Sequence, residues 1–83
     1  MLTSHELLLQ YWHDPRYVFA DVMVCYVDRG ALGDRSCVNG SAIRVLESYY
    51  FEIGSGEITK YIPYHRIQKI TYAGEPVWER QGR

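Results

Sequence analysis

Apolar residues recur along the chain with two different periods, and each period predicts a different element. Leu7, Leu8, Tyr11 and Trp12 fall three and four residues apart, which predicts a short amphipathic helix from about Ser4 to His13. Ser4 is the expected cap for its first-turn amides, without a full capping box, because position 7 is Leu rather than Glu. Asp14-Pro15 ends the helix, since the residue before a proline is pushed out of the α region. Arg16 to Ala20 reads as a further turn.

From Val22 onward the pattern is that of strands. Val22 to Val27 is apolar on both faces, Val22, Val24 and Tyr26 against Met23, Cys25 and Val27, which predicts a central strand covered on both sides. Gly30 to Asp34 reads as a loop and Arg35 to Val38 as a short strand. Asn39-Gly40 marks a turn, with a brief helical turn from Ser41 to Arg44. Val45 to Ile53 reads as one extended run around Tyr49, Tyr50 and Phe51, reversed by Gly54-Ser55-Gly56. Glu57 to Ile62 alternates, and Pro63 interrupts its ladder. Ile67 to Ala73 and Pro76 to Arg80 form two more strands around Gly74-Glu75, with Ile70 and Tyr72 sharing a face. The expected fold is α+β: an N-terminal helix packed on a curved or partly closed, mainly antiparallel sheet of about five strands. One helix is too few for an RNA-recognition fold with two.

Composition narrows the classes. A chain of 83 residues, 47% hydrophobic, supports a single domain (1–83) with a thin margin of core, so most large apolar side chains have a structural use first. Eight tyrosines read either as rim residues of that core or as a contact surface for bases or protein. A formal charge of -1 argues against a protein that coats polyanions, yet leaves room for one phosphate in a local Arg/His pocket. Cys25 lies in an apolar run and is expected as a buried thiol; with Cys37 it gives neither a CxxC metal motif nor a dense disulfide framework. His5, His13 and His65 lack metal-site spacing, so neither a metal nor a cofactor is expected. No signal peptide and no membrane-length apolar run is visible, which predicts a cytoplasmic protein. Asn39-Gly40-Ser41 reads as a turn rather than a glycosylation acceptor in that setting.

Four segments carry candidate chemistry. Ile62-Pro63-Tyr64-His65-Arg66-Ile67 places an aromatic ring, a switchable donor and a guanidinium side by side after a residue that fixes φ. Its bland alternative is an Arg66–carboxylate pair with His65 capping a turn. Asp28-Arg29-Gly30-Ala31-Leu32-Gly33-Asp34-Arg35 is a glycine loop that is not a P-loop: its arginines reach phosphate, or the loop is merely ion-paired. Trp12-His13-Asp14 ends the helix, with Trp12 expected in the core. In Val77-Trp78-Glu79-Arg80, Trp78 and Arg80 share a face, so Arg80 is a phosphate contact beside an aromatic ring or Trp78 closes the core.

In this order, the segments Trp12-His13-Asp14-Pro15, Asp28 to Asp34, Ile62 to Ile67 and Val77 to Arg80 resemble a small, largely archaeal family described as an RNA cyclic group end recognition domain. The resemblance spans about residues 4 to 80, and its Ile-Pro-x-His-Arg-Ile element is the distinctive part. It implies binding of single-stranded RNA 3′ ends that carry a 2′,3′-cyclic phosphate, in RNA repair or processing, with an RNA-processing enzyme as possible partner. Arg29, Asp34, His65, Arg66, Trp78 and Arg80 are the positions it carries over, and Tyr64 joins them as a ring for the terminal base. Asp28 stands where His is expected, and Leu32 where Pro is commoner. Two other classes stay open: a small RNA phosphoesterase that opens the cyclic phosphate, and a protein-interaction subunit.

Overall fold

The structure is a computed structural model that describes residues 2–80, apart from the Ser55 side chain. The expected domain span of 1–83 runs past these residues at both ends. Helix α1 occupies Ser4–His13, as its periodicity predicts. Its cap is Thr3 rather than Ser4, and the capping box is complete: the Glu6 amide donates to Thr3 Oγ1 (3.1 Å), and the Thr3 amide donates to Glu6 Oε1 (2.9 Å). Ser4 is instead buried inside the first turn.

The described residues after the helix form seven strands: β1 (Val22–Val27), β2 (Arg35–Asn39), β3 (Ile43–Leu46), β4 (Tyr50–Ser55), β5 (Ile58–Pro63), β6 (Ile67–Tyr72) and β7 (Glu75–Glu79). They make two antiparallel sheets, ordered β2-β1-β6-β7 and β3-β4-β5, so the single sheet of about five strands is corrected to seven strands in two sheets. Two local events cause the difference. The extended run 45–53 is broken at Glu47, whose amide donates to the Tyr50 carbonyl (2.9 Å) and folds the run into the β3–β4 hairpin. A 3₁₀ turn, Gly40–Ala42, then separates the two sheets, with the Asn39 side chain accepting from the Ser41 amide (2.9 Å). A Cβ on Gly40 would overlap the Phe19 carbonyl, so this crossing requires glycine.

One core lies between the sheets and the helix. Val22, Val24 and Tyr26 of β1, Ile67 and Ile70 of β6, Phe51 and Ile53 of β4, Ile43 of β3 and Ile62 of β5 meet Leu8 and Tyr11 of α1. Ile67 and Ile70 are an odd number of residues apart, yet both are fully buried. A bulge makes this possible: Tyr26 pairs with Ile67 while Cys25 pairs with Lys69, leaving Gln68 as the extra residue. The helix runs along β6, with His5 stacked on Tyr64 at one end and Tyr11 stacked on Tyr72 at the other.

Three packing expectations change. β1 is central, but its second face is covered only in part: Cys25 is buried there while Met23 is 40% exposed. Cys25 is a disulfide rather than a thiol: it sits directly opposite Cys37 on β2 and bonds to it. Trp12 leans edge-on against Phe19 at the surface, 39% exposed, because Leu8 and Tyr11 take the inward stripe of α1.

Candidate functional site

The strand register brings three chain segments to one end of the four-stranded sheet. Val27 pairs with Arg35, Tyr26 with Ile67 and Lys69 with Glu79. The 28–34 loop, the turn before β6 and the end of β7 therefore lie at the same end. The first turn of α1 joins them, because the Trp78 indole Nε1 donates to the Leu2 carbonyl (3.3 Å).

Pro63 sets the turn. With φ near −64° it ends β5 and leads into a single 3₁₀ turn, Tyr64–Arg66, closed by the Ile67 amide donating to the Tyr64 carbonyl. Tyr64 points inward against Phe51, at 8% exposure, and its hydroxyl donates to the Glu47 carbonyl (2.7 Å). Burial, with the nearby Glu47 carboxylate adding to it, pushes the Tyr64 phenol up to about 12. His65 and Arg66 follow it on the exposed side of the turn.

Arg80 anchors β7 to that turn. Its amide donates to the Gln68 carbonyl (2.9 Å), inside the bulge. Its guanidinium donates from Nε to the Ile67 carbonyl (2.9 Å) and from Nη2 to the Tyr64 carbonyl (3.4 Å), and it lies 5.4 Å from the Trp78 ring. Glu79, which also borders the cavity described next, has its carboxylate 3.8 Å from the Lys69 ammonium.

These elements border an open surface concavity, a cavity of about 520 Å³. Its walls are Leu2, Thr3, Ser4 and His5 from the start of α1, Tyr64 and His65 from the turn, and Trp78, Glu79 and Arg80 from the end of β7. The volume lies within the range of small-ligand sites. Imidazole and guanidinium donors among aromatic walls suit a small anion attached to a flat ring.

Four of the seven expected site residues, Tyr64, His65, Trp78 and Arg80, share this cavity; Arg29, Asp34 and Arg66 do not line it. Arg66 is exposed, and among the described residues the ion pairs are Arg16–Asp14 and Lys69–Glu79, so neither Arg66 nor the 28–34 loop is held by a carboxylate–cation pair. The loop is held by hydrogen bonds instead. The Asp34 carbonyl accepts from the Asp28 amide (2.9 Å), and the Asp28 carboxylate accepts from the Ser36 hydroxyl (2.6 Å). Asp34 itself has a φ of 56°, and its carboxylate accepts from the Gly30 amide (3.5 Å), so its observed part is to turn and brace the loop. Trp12 and His13 lie at the far end of α1. Thr3, Ser4 and His5 are the residues that motif reading missed. The spacing Thr3-x-x-Glu6 marks the helix start, but its position against Trp78 follows from packing alone.

Residues 1–80 match the family of the MJ1316 RNA cyclic group end recognition domain. A UPF0248 protein of the archaeon Archaeoglobus fulgidus is 36% identical over 69 residues, covering 83% of this chain and 91% of that protein. No solved structure matches the chain.

Proposed function

The chain belongs to the MJ1316 RNA cyclic group end recognition family, and from that premise we propose that it binds RNA ends carrying a 2′,3′-cyclic phosphate in the cavity between α1, the Tyr64–Arg66 turn and β7. The observation that carries the proposal is the pairing of His65 and Arg80 in one aromatic-walled cavity of single-nucleotide size. A cyclic phosphate has one negative charge, which directed donors match without a basic groove. Two of Arg80's donor positions hold the turn through backbone carbonyls, and Nη1, which makes no hydrogen bond among the described residues, is the position offered to the ligand. His65 supplies a second donor from the exposed side. Arg66 and Arg29 serve the flanking strand rather than the terminal group. The setting we infer is RNA repair or processing, where such ends are formed, with a processing enzyme as partner.

The test is a titration with matched short single-stranded RNAs ending in a 2′,3′-cyclic phosphate, a 3′-phosphate or a 3′-hydroxyl. Tightest binding of the cyclic end is expected, and its loss in His65→Ala with the melting curve unchanged. Equal weak binding to all three ends removes the end specificity. Turnover of the cyclic end, read by chromatography of the products, would replace recognition with hydrolysis.

A further inference from the structure

If the cavity holds the terminal nucleotide, something in it must receive the base, and the expected rings are already engaged. Tyr64 packs on Phe51 (5.8 Å between centroids), is 8% exposed, and its ring is covered by His5 at 4.1 Å with planes 15° apart. Trp78 carries the Arg80 guanidinium 5.4 Å from its ring, ties its Nε1 to the Leu2 carbonyl and packs against the core. Neither offers a free face without breaking a contact.

His5 differs. It lines the cavity, is half-buried, and its stack on Tyr64 uses only one face of the imidazole. It is also held firmly. It stands at the second helical position after the Thr3 cap, inside a turn closed by both hydrogen bonds of the capping box. A base laid on it would extend an ordered stack, so little side-chain freedom is lost on binding.

We propose that the imidazole of His5 is the stacking surface for the terminal base, with Tyr64 as its rigid backing. The inference rests on the end-binding reading and adds a specificity element to it: donors at His65 and Arg80 take the phosphate, and His5 takes the base. Every base has a π-face, so this contact requires a base while distinguishing weakly among the four.

The test uses two short RNAs with the same cyclic phosphate, one with a terminal base and one whose terminal ribose carries hydrogen in its place. His5→Ala and His5→Phe are compared with the parent protein, melting curves checking the fold; alanine is the better helix former at that position. The wild-type protein should prefer the base-bearing end by about 5- to 150-fold, the range of one base–aromatic stack. His5→Ala should abolish that preference while leaving affinity for the base-free end within about twofold, and His5→Phe should retain it. A loss that is equal on both RNAs, or no loss on either, overturns the stacking role. Should the parent protein hold cyclic and hydroxyl ends equally, the end-binding reading falls, while the base-dependent loss in His5→Ala still decides the stacking role. No RNA binding at all overturns both.

Discussion

The 28–34 loop and the Tyr64–Arg66 turn leave the same end of the four-stranded sheet, and each carries arginine beside residues that bend the chain. They nevertheless build different things. The loop folds on itself through Asp28, Asp34 and Ser36, and leaves Leu32 fully exposed at 100%. The turn is clamped from three sides: Tyr64 reaches the core and the Glu47 carbonyl, Arg80 reaches the Ile67 and Tyr64 carbonyls, and α1 places His5 on the Tyr64 ring. The lesson is that similar residue types become a cavity only where elements distant in sequence enclose them.

The largest expected effect on that contrast is on stability. Tyr64→Ala removes a buried ring from the cavity's inner wall and should cost about 3–5 kcal/mol, as large aromatic truncations in cores do. Leu32→Ala in the loop should stay within about 0.5 kcal/mol. Urea unfolding of both variants measures the difference, and comparable losses would mean that the turn is no better packed than the loop.

The loop end has its own fastener. The Cys25–Cys37 bond joins residues 12 apart, at the middle of the β1–β2 ladder. Replacing both cysteines by serine should lower stability by about 3 kcal/mol, chiefly by freeing the unfolded chain. It should leave affinity for a cyclic RNA end within about threefold, since neither residue lines the cavity. Affinity that collapses along with the disulfide would tie the two regions together and erase the distinction drawn between them.

Much of the fold was legible because periodicity is local. The span of α1 and that of β1 coincide with their apolar patterns. What the sequence hid depended on tertiary or short-range hydrogen bonds. The Glu47–Tyr50 closure that splits one apolar run into two strands has no glycine to announce it. The bulge at Gln68, which turns Ile67 inward, breaks the alternation that strand reading assumes. Cys25 looked like a buried thiol because its partner's position depends on the hairpin register. The site divided in the same way. His65 and Arg80, both expected from their motifs, line the cavity, whereas His5 joins them through the packing of the N-terminal helix, from a position 60 residues before His65. Arg29 and Asp34 share the motif order and the sheet end without sharing the cavity.

Binding separates the two regions next. His65→Ala should weaken binding of a cyclic-ended RNA by about 1.5–3 kcal/mol, the usual worth of a charge-assisted hydrogen bond. Arg29→Ala should cost about 0.5 kcal/mol or less, as an exposed charge away from the terminal group. Fluorescence titration at fixed ionic strength reads both. An Arg29 effect equal to that of His65 would move the phosphate contact to the loop.

The smallest effect expected within the turn is the most specific to the cavity wall. Tyr64→Phe keeps the ring and deletes the hydroxyl that donates to the Glu47 carbonyl, at a cost of about 1 kcal/mol near neutral pH. Its signature lies at alkaline pH. The folded phenol, held up to about 12 by burial and then by the Glu47 carboxylate, stands above the ordinary value of about 10. Below pH 10 both folded and unfolded states keep the proton and the contribution is whole. Between pH 10 and 12 the unfolded state ionises first, which draws the equilibrium toward it, so stability falls as pH rises. Tyr11 and Tyr26 are raised by burial as well and add to that fall in both proteins. The stability gap between parent and Tyr64→Phe should therefore narrow from pH 9 to pH 11, while the gap between parent and Leu32→Ala stays constant. If the parent and Tyr64→Phe curves run parallel across that window, the hydroxyl is not buried, and the turn loses the feature that most sharply distinguishes it from the loop.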